Sequence, residues 1–250
     1  MSIRATPPSP VPGRGDPPTP CAGDRAGRAQ TGTPDRVVRV WDIPTRLFHW
    51  LAAVLVVAAY VTWRLDWMGW HVDIGEGLLA LLFFRLFWGF CGSETARFAS
   101  FLAPPARALR HLAHMLRREP DRQVGHNPAG GWMVVLLLAL LFGETLTGLF
   151  VNNDVANEGP LSEVTPAPVA NAITALHALL WDALLAAVAL HVLAICIYAV
   201  AKGQNLVLPM ITGRKTLPAS VPPPRLAGPL RAALVFACGV LAAALLINLL

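Results

Sequence analysis

Beyond its first three dozen residues the chain alternates long apolar runs with short polar connections. Five runs approach the roughly 20 mainly apolar residues that a helix needs to cross a bilayer, at residues 47–64, 72–92, 132–151, 172–200 and 229–250. The second carries Asp73, Glu76 and Arg85, so its place rests on the stretch GLLALLFFRLFWGF. The fifth holds no polar side chain between Ala232 and Ile247 except Cys238 and is expected to be a packing helix. Residues 1–36 differ in kind: eight of the 22 prolines and five glycines fall there, with no apolar period. Such a segment cannot bury enough apolar surface to fold, so a disordered tail is expected. It lacks the apolar centre of a secretory signal, which makes the first run a retained span and leaves the N-terminus on the side of synthesis. The pattern predicts an all-α integral membrane protein.

Composition agrees. Hydrophobic residues make up 55% and charged residues 14%, against about 25% charged in an ordinary soluble domain, which argues against a water-soluble enzyme. The four cysteines, Cys21, Cys91, Cys196 and Cys238, form no CxxC pair, so a disulfide framework, a zinc ribbon and a covalently attached c-type haem all lose support. The net charge of +5 falls in arginine-rich blocks between the apolar runs rather than on one face. That is membrane topology, and no nucleic-acid partner is expected. Seven arginines precede the first span and six lie in the 93–131 connection, whereas 152–171 has no Arg or Lys and carries Asp154, Glu158 and Glu163. Positive connections stay in the cytoplasm, so the expected N-terminus is cytoplasmic and the C-terminus periplasmic.

Four of the seven histidines lie in or at the edges of the runs: His49, His71, His177 and His191. Ionisable groups at such positions are costly and mark function. On the expected topology His49 and His191 share the cytoplasmic level, and His71 and His177 the external one. The 14-residue step from His177 to His191 returns to within about 40° of the same helix face and separates the two by about 21 Å along the axis. One helix therefore offers two imidazoles at two depths, and a facing imidazole at each depth would complete the axial pair of a non-covalent b haem. The expected pairs are His71 with His177 and His49 with His191. Each histidine taken singly is equally well a hydrogen-bonded packing residue, and His71 equally well an interfacial neighbour of Trp67 and Trp70; the joint arrangement favours haem. Arg85 lies 14 residues after His71, where a lone guanidinium needs an anion. Haem propionates are one candidate, with Arg46 as a second cation, and snorkelling of Arg85 to the interface is the other.

His111 and His114 fall in PPARALRHLAHMLRREP, a candidate amphipathic surface helix, and no third ligand at metal-site spacing accompanies them. HNPAGG, with His126, reads as a turn and helix start at Asn127 or Pro128. Glu144, in LFGETLTGLF, is expected to be hydrogen-bonded to a neighbouring helix, with a proton relay as the competing role.

The stretches VWDIPTRLFHW, HVDIGEGLLALLFFRLFWGF, GHNPAGGWM, GLFVNNDVANEGPL, ALHALLWDALLAAVALH and NLVLPMITGRK together resemble the bacterial cytochrome b561 family, in the branch similar to the membrane b subunit of nickel–iron hydrogenases. The likeness runs over about residues 37–216. It implies a four-helix membrane bundle binding two b haems through His49, His71, His177 and His191, and electron exchange between a redox partner and the quinone pool. The Pro-rich tail, the fifth span and Glu144 depart from the family pattern. The expected organisation is thus a tail over 1–36, a dihaem domain over 37–216, and a linker with an additional transmembrane helix over 217–250.

The function expected from these readings is a dihaem cytochrome of the bacterial cytoplasmic membrane. It relays electrons between quinone and a periplasmic cytochrome c, or a dehydrogenase or hydrogenase subunit, with Arg46 and Arg85 beside the haem. Competing expectations are a self-sufficient superoxide:quinone oxidoreductase, a membrane metal transporter that uses the same histidines as a path, and a structural anchor for a peripheral complex.

Overall fold

Asp42 begins the first helix. Its carboxylate accepts from the backbone N–H of Thr45 at 2.7 Å, and Pro44 occupies the first turn, where its missing N–H costs nothing. In the computed structural model, which describes residues 35–113, 123–152 and 159–249, this helix α1 runs Ile43–Arg64. It therefore starts four residues before the apolar run, because the cap and the proline sit outside the run. A three-residue turn follows, with Asp66 at φ 58°, a conformation that aspartate tolerates better than most residues. Helix α2 then spans Met68–Cys91. A 3-10 turn at Glu94–Ala96 and the short helices α3 (Phe98–Phe101) and α4 (Pro105–Ala113) lead to α5 (Pro128–Gly148). Asn127 caps α5 by accepting from Gly130 N at 2.6 Å, as expected from HNPAGG.

Helix α6 (Ala167–Lys202) has 36 residues, so at about 1.5 Å per residue it is well longer than a bilayer's hydrocarbon core is thick. Gly203, left-handed at φ 64°, ends it. Helix α7 (Val207–Thr212) and helix α8 (Pro229–Leu249) complete the helical elements among the described residues. Five of them, α1, α2, α5, α6 and α8, are long and apolar enough to cross a membrane. The molecule is a multi-pass helical membrane bundle, as the hydropathy pattern predicts.

One element is not in that pattern. β1 (Asp35–Arg39) pairs antiparallel with β2 (Arg214–Pro218). The pair closes over a small core of Val38, Val40, Trp41 and Leu217 and clamps the start of α1 to the segment that follows α6. Gly213 makes the junction: it is left-handed at φ 76°, and a Cβ there would meet Trp41 O at 2.8 Å and Arg46 Nη1 at 2.9 Å. The expected tail lies outside the described residues up to position 34.

Packing is uneven. Helix α1 packs on α2, α5 on α6, and α2 on both α5 and α8, whereas α1 and α6 are not a closely packed pair. The main core joins Leu78, Leu82 and Trp88 of α2 to Leu138 and Leu141 of α5 and Leu184 of α6. Helix α2 is accordingly the central element, 44% buried over its apolar stretch against 17% for α1, α6 and α8. The outward Leu, Val and Trp side chains of the other helices form the apolar belt that a bilayer requires.

Candidate functional site

The site lies along the α1/α6 side of the bundle, at its two ends. At the hairpin end, His49 of α1 faces His191 of α6 with ring centroids 6.5 Å apart. Trp50 lies edge-on to His49 at 4.9 Å. His49 Nδ1 is shut away from solvent with no hydrogen-bond partner. Two metal–imidazole bonds of about 2 Å each, with the ring radii added, require a separation of about 6 Å, so the spacing of these rings fits a pair of imidazoles that would hold one metal ion between them. Because α1 and α6 do not pack closely, these two imidazoles approach one another across a seam rather than a packed core.

Arg85 and His126 complete this end. Arg85 is 3% exposed and lies against the rings of Phe98 (5.2 Å) and Phe48 (6.0 Å). It does not snorkel to the surface. Its Nη1 has no partner, and the carboxylate whose charge reaches it is Asp42. A buried guanidinium with an open donor is a site for an anion. Arg46 turns the other way, its Nη1 donating to Ile211 O at 2.9 Å beside the hairpin. His126, just before α5, sits between Trp41 (4.7 Å) and Phe101 (4.9 Å), with Nδ1 buried and unpartnered. Burial, followed by the Arg85 guanidinium and the imidazoles of His191 and His49, pulls its pKa down to about 3. It is a neutral imidazole at ordinary pH.

At the opposite end His71 Nδ1 donates to Ala59 O, 2.9 Å away on α1. That bond fixes the tautomer and leaves Nε2 with a free lone pair, the arrangement that orients a metal-ligating histidine. Thr147 of α5 spends its hydroxyl proton on Gly143 O at 2.7 Å, so at 3.0 Å it accepts from His177 Nδ1. His177 Nε2 then faces Glu144 Oε1 at 3.3 Å. Both histidines at this end are thus held through Nδ1 by a neighbouring helix. Gly148 leaves room for the imidazole, since a Cβ there would stand 3.3 Å from His177 Cε1. Between the two ends Tyr60 of α1 stacks on Trp181 of α6, with centroids 5.5 Å apart and planes 10° apart.

The structure therefore brings together His49 with His191, and holds His71 and His177 each through Nδ1. Arg46 and Arg85 have different neighbours, Ile211 O for the first and the rings of Phe48 and Phe98 for the second. Three features are not foreshadowed by the sequence pattern: the burial of His126, the Thr147 bond to His177, and the Tyr60–Trp181 stack. Glu144 does reach a neighbouring helix, where the group it meets is His177 itself, at 3.3 Å. His111 belongs to neither end; its Nε2 meets Tyr198 Oη at 2.7 Å. His114, Asp154 and Glu158 lie outside the described residues. Among the described residues no three His, Cys, Asp or Glu side chains gather as a metal site of the ordinary kind.

A multi-pass helical bundle with imidazoles at two levels of its long sixth helix belongs to the class of membrane proteins that keep ionisable side chains within their apolar spans. Comparison narrows the class to a family: the one described as prokaryotic cytochrome b561 matches residues 40–213, and the chain belongs to it. A probable nickel–iron hydrogenase B-type cytochrome subunit of Bradyrhizobium diazoefficiens is 26% identical over 133 residues, 43% of this chain and 53% of that protein. The chain thus spans about half the length of this relative. No solved structure matches it. The protein is thus a multi-pass membrane member of a b-type cytochrome family.

Proposed function

We propose that the protein holds two b haems, one between His49 and His191 and one between His71 and His177, and relays electrons between a redox partner and quinone. The observation that carries this reading is the facing pair His49 and His191, 6.5 Å apart on two helices that do not pack closely. Bound haem iron supplies a reversible one-electron change between ferric and ferrous states. The chain supplies everything else. Ala59 O and Thr147 Oγ1 hold His71 and His177 through Nδ1, which leaves His71 Nε2 available as a ligand, while His177 Nε2 would have to exchange its Glu144 neighbour for the haem. Arg85 offers its open Nη1 to a propionate. Phe48, Phe98 and the apolar belt keep water from the site and so set the local polarity.

The distribution of arginine supports a bacterial cytoplasmic membrane location with the hairpin end cytoplasmic. The relative's name supports a hydrogenase subunit as partner; a dehydrogenase subunit and a periplasmic cytochrome c are the other electron-exchange partners of suitable chemistry. The test is haem content per chain of the detergent-purified protein by pyridine haemochrome, repeated for His71→Ala and His191→Ala. Two haems in the parent and one in each variant, with different reduced-minus-oxidised spectra, are expected. A parent that stays colourless when haem is supplied overturns the reading.

A further inference from the structure

The hairpin end carries a second constellation that haem does not use. β1, β2, α7 and the start of α1 enclose a cavity of about 510 Å³. Arg39, Arg46, Arg214 and Lys215 line it, and among the described residues no acidic side chain does. The antiparallel register sets Arg39 directly opposite Arg214, where like charges repel. Among the described residues no carboxylate comes within ion-pair distance of Arg39, Arg46 or Arg214. Arg46 Nε is buried without a partner. Retention of positive connections in the cytoplasm governs how many cations lie at this end, but it does not place two arginines in register around one cavity.

The same cavity has an apolar rim. Val37, Ile43 and Leu208 line it and are 68%, 55% and 53% exposed. Ile43 opens the membrane-spanning helix α1, so the rim lies where the chain enters its apolar stretch. A cationic floor beside an apolar rim at that level matches an anion that carries hydrocarbon. Guanidinium forks pair with phosphate oxygens in two-point geometry, and basic pockets at the ends of membrane helices hold acidic headgroups.

We propose that this cavity binds a phosphate group, supplied by the headgroup of an acidic phospholipid, which bridges Arg39 and Arg214 and relieves their repulsion. The hairpin would then be locked by lipid to the start of α1, within two helical turns of His49.

The test uses the full chain, purified with its haem and placed in nanodiscs of phosphatidylcholine with or without phosphatidylglycerol. Retained lipid is counted by native mass spectrometry. The parent is expected to retain phosphatidylglycerol over phosphatidylcholine, and Arg39→Gln/Arg214→Gln to lose about tenfold of that preference. Arg64→Gln, at the other end of α1, is the charge-matched control and is expected to keep it. Equal preference in parent and double variant overturns the proposal. If the double variant fails to fold, the single variants Arg39→Gln and Arg214→Gln each remove the repulsion and are expected to lose about threefold; no loss in either overturns it as well. Inorganic phosphate is added to the phosphatidylcholine discs as a separate arm. Protection of the parent against heat by phosphate, matching that by phosphatidylglycerol and absent in the double variant, overturns the lipid as source and assigns the site to the free anion.

Discussion

Asp42 ties the start of α1 to α2, and its removal tests whether this end of the bundle is held as described. One carboxylate oxygen caps α1 at Thr45 N and the other accepts from Trp88 Nε1 of α2 at 3.1 Å. Asp42 is 4% exposed and Trp88 fully buried, so water does not replace either partner. Loss of the cap costs about 1 kcal/mol, and an indole N–H orphaned in the core about 1–3 kcal/mol. Asp42→Ala is therefore expected to destabilise the protein by about 2–4 kcal/mol. Asp42→Ser keeps an oxygen for Thr45 N and should recover about 1 kcal/mol of that. The assay is a double-mutant cycle with Trp88→Phe, read by denaturant-driven loss of helical circular dichroism in detergent. A charge-assisted bond between the two side chains gives a coupling of about 1.5–3 kcal/mol. If Trp88→Phe costs the same in the Asp42→Ala background as in the parent, within about 0.5 kcal/mol, no such bond holds α1 to α2. Because α1 starts at this cap, the variant should also lose haem from the His49 and His191 pair first.

Thr147→Val removes the acceptor for His177 Nδ1 while keeping the side-chain volume. Haem transfer to an apo-globin should then quicken about 10- to 100-fold for one haem only; unchanged transfer would remove Thr147 from the site. His126 gives a pH prediction. Its folded pKa is about 3, whereas an unfolded histidine titrates near about 6.5. Below about pH 6.5 the unfolded chain takes up a proton that the folded chain refuses, so this residue lowers stability progressively as pH falls toward its folded value and contributes nothing above. His126→Gln should flatten the loss of melting temperature between about pH 7 and about pH 5. Parallel profiles for parent and variant would show that the imidazole is not buried neutral.

The spans are legible in the sequence because a bilayer imposes a length and a composition on each of them. The starts of α5 and α1 show where that signal ends. Asn127 and Pro128 announce a helix by their chemistry, but Asp42 and Pro44 lie before the apolar run and the hydropathy pattern passes over them. The hairpin is not legible: DRVVR and RKTLP are short, basic and far apart in the chain, and only the fold brings them side by side. The same holds for single residues. His126 stands among polar neighbours in sequence, and its cover comes from Trp41 and Phe101 of other segments. Depth along a helix can be counted residue by residue, which is why the shared level of His49 and His191 follows from the sequence. The partners that lie sideways, Glu144 and Thr147 against His177, depend on which helices adjoin, and a count along one helix carries no such information.

Helix α8 makes the bundle one-sided. It covers α2 so closely that a Cβ on Gly239 would strike the backbone of Phe84 at 2.7 Å, while α1 and α6 keep their outward faces uncovered. For a hydrophobic molecule diffusing in the plane of the bilayer, the protein thus has a front and a back. Among the described residues the seam between α1 and α6 can be approached from the lipid, whereas the middle of α2 is covered. A neighbouring subunit meets the same asymmetry: on the covered side it meets α8, whose Leu230, Leu234 and Leu241 face outward, whereas docking on α1 or α6 would also narrow the route by which lipid-borne molecules reach the histidines.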